Sequence, residues 1–238
     1  TGAISWVVDG SPKMTFLEAM EMLTNGSLPA ECKQTNEYVK KDKAVPATIY
    51  PIPHDAQHSR PDRDKVLGIP NRITVFKDAD GEPNFYEYRF NLLSEDGSPK
   101  IKESTGKPDK EFKPLCYTEK GWKFMAPGSP RPLYGLDWLA ARPNAHVAVF
   151  EGAKCADYAH ERVAQVCVSW QGGVNADGYA DWSPLAGKRV TLCRDNDAVG
   201  WKCMERIGNH LVKLGCRVFW AENPETWPKG GDVADSGW

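Results

Sequence analysis

The sequence predicts an α/β protein, α+β over its whole length, with a parallel sheet in the C-terminal half preceded by a smaller antiparallel, loop-rich subdomain. Three observations carry this. From residue 132 onward, short apolar runs alternate with helical spacing, the pattern of parallel strands joined by crossover helices. Between residues 71 and 125, aromatic residues alternate with polar ones and are interrupted by Asp80-Gly81 and Lys120-Gly121, both hairpin signals. The 18 prolines and 21 glycines require many turns and leave room for a section with little regular structure.

Taken in order, residues 1–25 show helical spacing: Ile4, Val7 and Val8 form one apolar patch, and Thr15 with Glu18 reads as a capping box before Phe16, Ala19, Met20 and Leu23. Residues 27–70 are rich in Pro, Lys, Asp and His and predict an extended linker with short strands at most. His54 and His58 lie there, but prolines at 51, 53 and 61 argue against a helix that would aim both at one metal. Strands are expected at Ile73–Phe76, Phe85–Phe90, Phe112–Tyr117 and Trp122–Met125. Beyond them come a helix from Leu133 to Ala140, a strand Val147–Phe150, a helix Lys154–Ala164 and a strand Val166–Ser169. One helical turn at Ser183-Pro184, a strand Val190–Cys193, an amphipathic helix from Val199 to Leu214 and a strand Arg217–Trp220 complete the chain. Trp170 and Trp182 fit the core better than a stacking surface. The expected divisions are a helical segment 1–30, an α+β subdomain 31–131 and a parallel-sheet domain 132–238.

Composition narrows the function classes. A net charge of −2 excludes a chain that grips nucleic acid by bulk charge, so any such binding must use a local groove. The seven cysteines, an odd number with no CxxC pair, predict reduced and mostly buried thiols in a cytosolic protein. No apolar run approaches the ~20 residues of a membrane span, so no membrane partner is expected. There is no Gly-x-Ser-x-Gly elbow, Walker A pattern or GxGxxG fingerprint, which argues against an ATPase or helicase engine within this chain. Beginning at Thr1 and stopping at Trp238, the sequence is expected to be a fragment.

The chemistry concentrates at two strand ends. Val147–Phe150 runs straight into Glu151-Gly152, and Val190–Cys193 runs into Arg194-Asp195-Asn196-Asp197. Open parallel sheets bind ligands outside the carboxyl ends of their strands. The separation of 44 positions from Glu151 to Asp195 suffices for one strand and its crossovers, so the two ends can meet. Clustered carboxylates repel one another unless a cation neutralises them. An all-oxygen donor set favours Mg²⁺ or Mn²⁺ over zinc. Asp at a strand-to-helix junction is also a common N-cap, so the D-x-D alone is weak and gains meaning only beside the Glu-Gly of the second strand.

These segments resemble the Toprim family. Val147-Ala-Val-Phe-Glu-Gly-Ala-Lys-Cys-Ala-Asp157 is similar to its first motif, a hydrophobic strand ending in Glu-Gly. Val190-Thr-Leu-Cys-Arg-Asp-Asn-Asp-Ala-Val-Gly200 is similar to its second, and Gly172-Gly173 stands where the family often carries Gly. Trp227-Pro-Lys-Gly-Gly-Asp-Val-Ala-Asp235 resembles a short acidic segment near the close of primase-type Toprim domains, which makes Asp232 an additional acidic candidate. Arg131-Pro-Leu-Tyr-Gly-Leu-Asp137 and the two hairpins resemble, in particular, the primase part of phage and mobile-element primase–helicases. Residues 1–25 resemble more weakly the helical end of a primase zinc-binding module, without its cysteines. The likeness covers roughly residues 70–235; Ala153 and Ala198 depart from the usual acidic or small residues, and neither departure removes a ligand.

The resemblance implies a Toprim Rossmann-like sheet and primer synthesis on single-stranded DNA by two-metal nucleotidyl transfer. Glu151, Asp195 and Asp197, with Asp232, would hold Mg²⁺ or Mn²⁺, and Glu151 would complete the site or act as general base. Lys154, Arg89, Lys113 and Arg131 are the candidates for binding nucleotide or template. Nucleoside triphosphates, single-stranded DNA and a replicative helicase, in cis or in trans, are the implied partners. Two alternatives use the same residues: a Toprim nuclease with water as nucleophile, and a non-catalytic DNA- or helicase-binding module with a vestigial site.

Overall fold

The computed structural model describes residues 5–7, 14–15, 46–103 and 106–235. Two short strands, β1 (Ser5–Val7) and β2 (Met14–Thr15), come first, followed by a one-turn helix α1 (His54–Gln57). Then come β3 (Arg72–Lys77), β4 (Pro83–Asn91), β5 (Ile101–Lys102), β6 (Lys107–Pro108), β7 (Lys110–Thr118) and β8 (Gly121–Phe124). The C-terminal half contains α2 (Leu136–Ala141), β9 (Val147–Phe150), α3 (Ala153–His160) and β10 (Val166–Ser169). It closes with β11 (Arg189–Cys193), α4 (Ala198–Lys213) and β12 (Arg217–Ala221).

The antiparallel sheet runs β3-β4-β7-β8, as the hairpin signals predict. Gly81 and Gly121 take positive φ at its tight turns, a conformation that costs glycine little. Phe76 and Phe85 stack face to face at 4.2 Å within it, and Tyr88, Phe90 and Leu115 are buried beside Ile52 and Ala56. The linker is therefore not free of helix. Pro53 stands at the N-cap of α1 rather than blocking it, because its fixed φ suits a helix start. His54 and His58 bracket that turn with ring centroids 5.5 Å apart.

The second sheet is ordered β10-β9-β11-β12-β1-β2, and its first four strands are parallel. Strand alternation splits its core in two. Val147, Val149, Val166, Val168, Val190 and Leu192 face α4 residues Cys203, Met204, Ile207 and Leu211. Ala148, Phe150 and Cys167 face α3 residues Cys155, Ala156 and Ala159. At Gly208 of α4, an added Cβ would already lie 3.0 Å from a Leu192 methyl, so the glycine lets the helix settle closely on the sheet. Trp170 and Trp182 lie in this core, 2% and 1% exposed.

Helical spacing in residues 1–25 predicts helix, yet the residues described there, including Thr15, form strands. β1 pairs antiparallel with β12, the outermost parallel strand, and so supplies hydrogen-bond partners that the edge would lack. Non-local pairing overrides local periodicity, and this segment joins the C-terminal sheet. The remainder of the expected helical segment and Cys32 lie outside the described residues. The six other cysteines are free thiols, five of them buried. Among the described residues, no helix is long and apolar enough to cross a membrane.

The two sheets are joined by polar contacts. Arg72 on β3 and Tyr134 both bond to Asp157 on α3. Lys77 pairs with Asp137 at 3.3 Å, and the Gln171 amide donates to Glu87 on β4 at 3.2 Å. These contacts set the antiparallel sheet beside the carboxyl ends of the parallel strands.

Candidate active site

The chain leaves β9 to form β10 on one side and returns to form β11 on the other. The connections after β9 and β11 therefore diverge, and a crevice opens between their carboxyl ends, where open α/β sheets take ligands. Phe150 and Cys193 are register partners at those ends, so Glu151 and the Arg194–Asp197 turn emerge side by side. The backbone amide of Asp195 donates to Oε1 of Glu151 at 2.9 Å. Asp197 caps α4: its Oδ1 accepts from the amides of Val199 at 3.0 Å and Gly200 at 2.7 Å.

A fourth carboxylate arrives from the end of the chain. Asn196 donates its side-chain amide to the carbonyls of Trp227 at 2.9 Å and Pro228 at 3.2 Å. Its backbone exchanges two further bonds with Gly230 and Gly231. This four-bond clamp holds the segment that ends in Asp232. The Asp232 Oδ1 accepts from the amides of Ala234 and Asp235, leaving Oδ2 3.4 Å from the Lys154 ammonium.

Charge is concentrated here. Burial and the neighbouring carboxylates of Glu151, Asp232 and Asp197 push the Asp195 carboxyl up to about 8. Burial likewise raises Glu151, against the hydrogen bond it receives from Asp195. Cations surround the cluster. Lys154 pairs with Asp235 at 2.9 Å as well as with Asp232; burial opposes its charge, but these carboxylates outweigh it and raise its pKa. Lys107 on β6 donates to the Gly230 carbonyl at 2.6 Å. Lys110 on β7 lies within electrostatic reach of Arg89, Lys154, Asp232 and Asp195; desolvation, then Arg89 and Lys154, hold its ammonium below the usual lysine range.

The donor chemistry, four carboxylates at one crevice, fits a hard divalent cation. Among the described residues, however, no three acidic, imidazole or thiol groups already converge on one ligating point. Glu151, Asp197 and Asp232 each give one oxygen to backbone amides.

The sequence-derived candidates separate into two sets. Glu151, Asp195, Asp197, Asp232 and Lys154 gather around the crevice, whereas Arg89 bonds to Asn91 at 3.2 Å and is linked to the site only through its electrostatic effect on Lys110. Lys113 and Arg131 are engaged elsewhere. Lys113 pairs with the buried Asp64 at 3.0 Å. The Arg131 side chain is buried, donates to the Pro127 carbonyl and to Gln171, both at 3.0 Å, and lies over the Tyr179 ring. Sequence reasoning missed Lys107, Lys110 and Asn196. Asn196 was legible only as the middle of D-x-D, and the two lysines belong to a sheet whose placement no local pattern encodes.

Fold and site together define a mixed α/β protein with an acidic, lysine-flanked crevice at a topological switch point. No protein family and no curated protein matches the chain. Among solved structures it is similar to the zinc-binding and RNA polymerase domains of the Aquifex aeolicus primase, at 14% identity and a TM-score of 0.45, covering 68% of this chain and 36% of that one. It is also similar to a DNA primase domain from Pseudomonas aeruginosa, at 15% identity and a TM-score of 0.41, covering 71% and 50%. A third similarity is to the primase fragment of the bacteriophage T7 primase-helicase protein, at 15% identity and a TM-score of 0.30, covering 57% and 53%. The chain thus spans half or less of the first two structures, and likenesses this distant do not bear on reaction or site residues.

Proposed function

We propose that this chain is a Toprim-type primase core, which joins nucleotides into short primers on single-stranded DNA. The observation that carries the reading is the adjacency of Glu151 and the Asp195–Asp197 turn at the β9/β11 switch point, the two strand ends whose sequences resemble the Toprim motifs. Asp195 and Asp197, with Glu151 and Asp232, would hold Mg²⁺ or Mn²⁺. Such an ion, when bound, supplies acidity to a 3′-hydroxyl and stabilises charge on a triphosphate.

The residues of the chain do the rest. Glu151, held above the ordinary carboxylate range by burial, accepts the proton of the attacking hydroxyl or completes the acidic set. Lys154, Lys107, Lys110 and Arg89 offer the triphosphate and the template backbone a cationic wall facing the acids. The Asn196 clamp orients Asp232. The proposed partners are nucleoside triphosphates, single-stranded DNA and a replicative helicase acting in cis or in trans.

The test is primer synthesis on single-stranded DNA with labelled nucleotides and Mg²⁺ or Mn²⁺, wild type against Asp195→Ala/Asp197→Ala. Oligonucleotide products that vanish in the variant support the proposal. Metal-dependent cutting of the template without synthesis would replace it with the nuclease reading. Function retained by the variant would point to a binding module with a vestigial site.

A further inference from the structure

The opposite edge of the parallel sheet carries a separate cleft of about 340 Å³. It is lined by Pro143, Asn144 and Ala145, which precede β9, by Ala186–Arg189 at the entry to β11, and by Arg217 at the start of β12. The strands are parallel, so all three segments lie at amino-terminal ends, away from the acidic crevice. A strand of five residues, such as β11, separates the two edges by about 15 Å.

The lining is basic in a chain of net charge −2: Lys188, Arg189 and Arg217 contribute to it, and none of its described side chains is acidic. Arg189 and Arg217 are register partners on adjacent strands, which brings both to the same edge of the cleft. Lys188 donates one proton to the Pro143 carbonyl at 2.7 Å, which fixes one wall and leaves two ammonium protons for another acceptor. The wall amides of Gly187, Lys188 and Arg217 bond to Leu214, Leu185 and Lys188 carbonyls. What the cleft presents is therefore cationic side chains and the exposed Asn144 amide, a donor set that recognises an anion.

We infer that this cleft is a second site, separate from the acidic crevice, that binds a phosphate group. The forked guanidinium of Arg189 matches phosphate oxygens, and the volume suits a mononucleotide or one sugar-phosphate unit of a strand. The chemistry is shared by a free nucleotide and a nucleic-acid strand, and the experiment separates them.

The whole chain is titrated in EDTA at low salt with adenosine monophosphate and, separately, with a single-stranded oligodeoxythymidylate. The variants are Lys188→Gln/Arg189→Gln, and Asn144→Asp at an exposed position that tolerates a charge. Both are expected to weaken binding about tenfold, the worth of one charge-assisted hydrogen bond. Asp195→Ala/Asp197→Ala should leave this contribution in place, so its outcome is independent of the primase proposal. Loss with both probes assigns the site to free nucleotide; loss with the oligonucleotide alone assigns it to strand phosphates. If the double variant does not fold, Asn144→Asp decides. Wild-type affinity for both probes in the folded variants, or no binding by the wild type, would overturn the inference.

Discussion

A side-chain carbon placed on Gly200 would overlap Oε1 of Glu151 and lie 3.2 Å from the carbonyl oxygen of Asp195. Gly200, in the first turn of α4, is thus the floor on which the Glu151 carboxylate rests. Gly200→Ala should push that carboxylate out of place while α4 still forms, because Ala favours helix. Displacement of a reacting group by about 1 Å costs on the order of 10²-fold in rate. Nucleotide incorporation by Gly200→Ala should fall by roughly that factor. Circular dichroism should show its helix content unchanged. Combining it with the shorter side chain of Glu151→Asp should cost no more than Glu151→Asp alone, since neighbours that share one contact are not additive.

The acidic cluster should be stabilised by losing charge. Asp195 is half-buried beside Glu151, Asp232 and Asp197, and burial, then these carboxylates, push its carboxyl toward the neutral form. In EDTA, Asp195→Asn should raise the melting temperature by about 2–4 °C, the equivalent of ~1 kcal/mol in a chain of this size. Mg²⁺ should raise the wild-type melting temperature further, through binding to the folded state alone, and leave the variant unmoved. Differential scanning calorimetry with and without Mg²⁺ reads both effects.

Much of this arrangement is legible in the sequence, for physical reasons. Every parallel strand is a short apolar run with a clear end, so Val147–Phe150 and Val190–Cys193 mark where Glu151 and Asp195 leave the sheet. The amphipathic period of α4 likewise gives its buried face, Cys203, Ile207 and Leu211, and the Asp197 cap gives its start. What stays hidden depends on contacts between distant segments. β1 and β2 read as helix because the β12 strand on which β1 pairs lies some 200 residues away, a separation no local period reports. Arg131 and Lys113 read as groove cations because sequence shows their charge but not Gln171 or Asp64, which engage them. Lys107 and Lys110 were hidden for the opposite reason, since only the docking of the antiparallel sheet brings them to the acids.

The clamp on the C-terminal segment makes its own prediction. Asn196→Ala removes the two side-chain bonds to Trp227 and Pro228 and keeps the backbone bonds to Gly230 and Gly231. It should lower stability by about 1–3 kcal/mol. Limited proteolysis should then open the segment 222–230 faster than in the wild type, and Mg²⁺ should protect the variant less, because Asp232 is no longer held in place.

Acid sensitivity should trace in part to His146. Its ring bonds to the Thr191 hydroxyl at 2.7 Å, and burial, assisted by Arg189, lowers its pKa from 6.5 to about 4. The folded state therefore keeps His146 neutral where the unfolded chain binds a proton. The His146 contribution to stability is complete above pH 6.5 and falls as the pH drops from 6.5 toward 4, with a slope of up to about 1.4 kcal/mol per pH unit. His146→Gln, which keeps a polar partner for Thr191, should flatten the urea-denaturation profile across that window and leave it unchanged above pH 7.

The most direct measurement is an anomalous difference map from crystals grown with Mn²⁺ and a nucleoside triphosphate. A peak bound by Glu151 and by Asp195 or Asp197, with the triphosphate against Lys154, Lys110 or Arg89, is the result expected of a nucleotidyl-transfer site. A triphosphate bound elsewhere, or a crevice with no Mn²⁺ at these carboxylates, would contradict it.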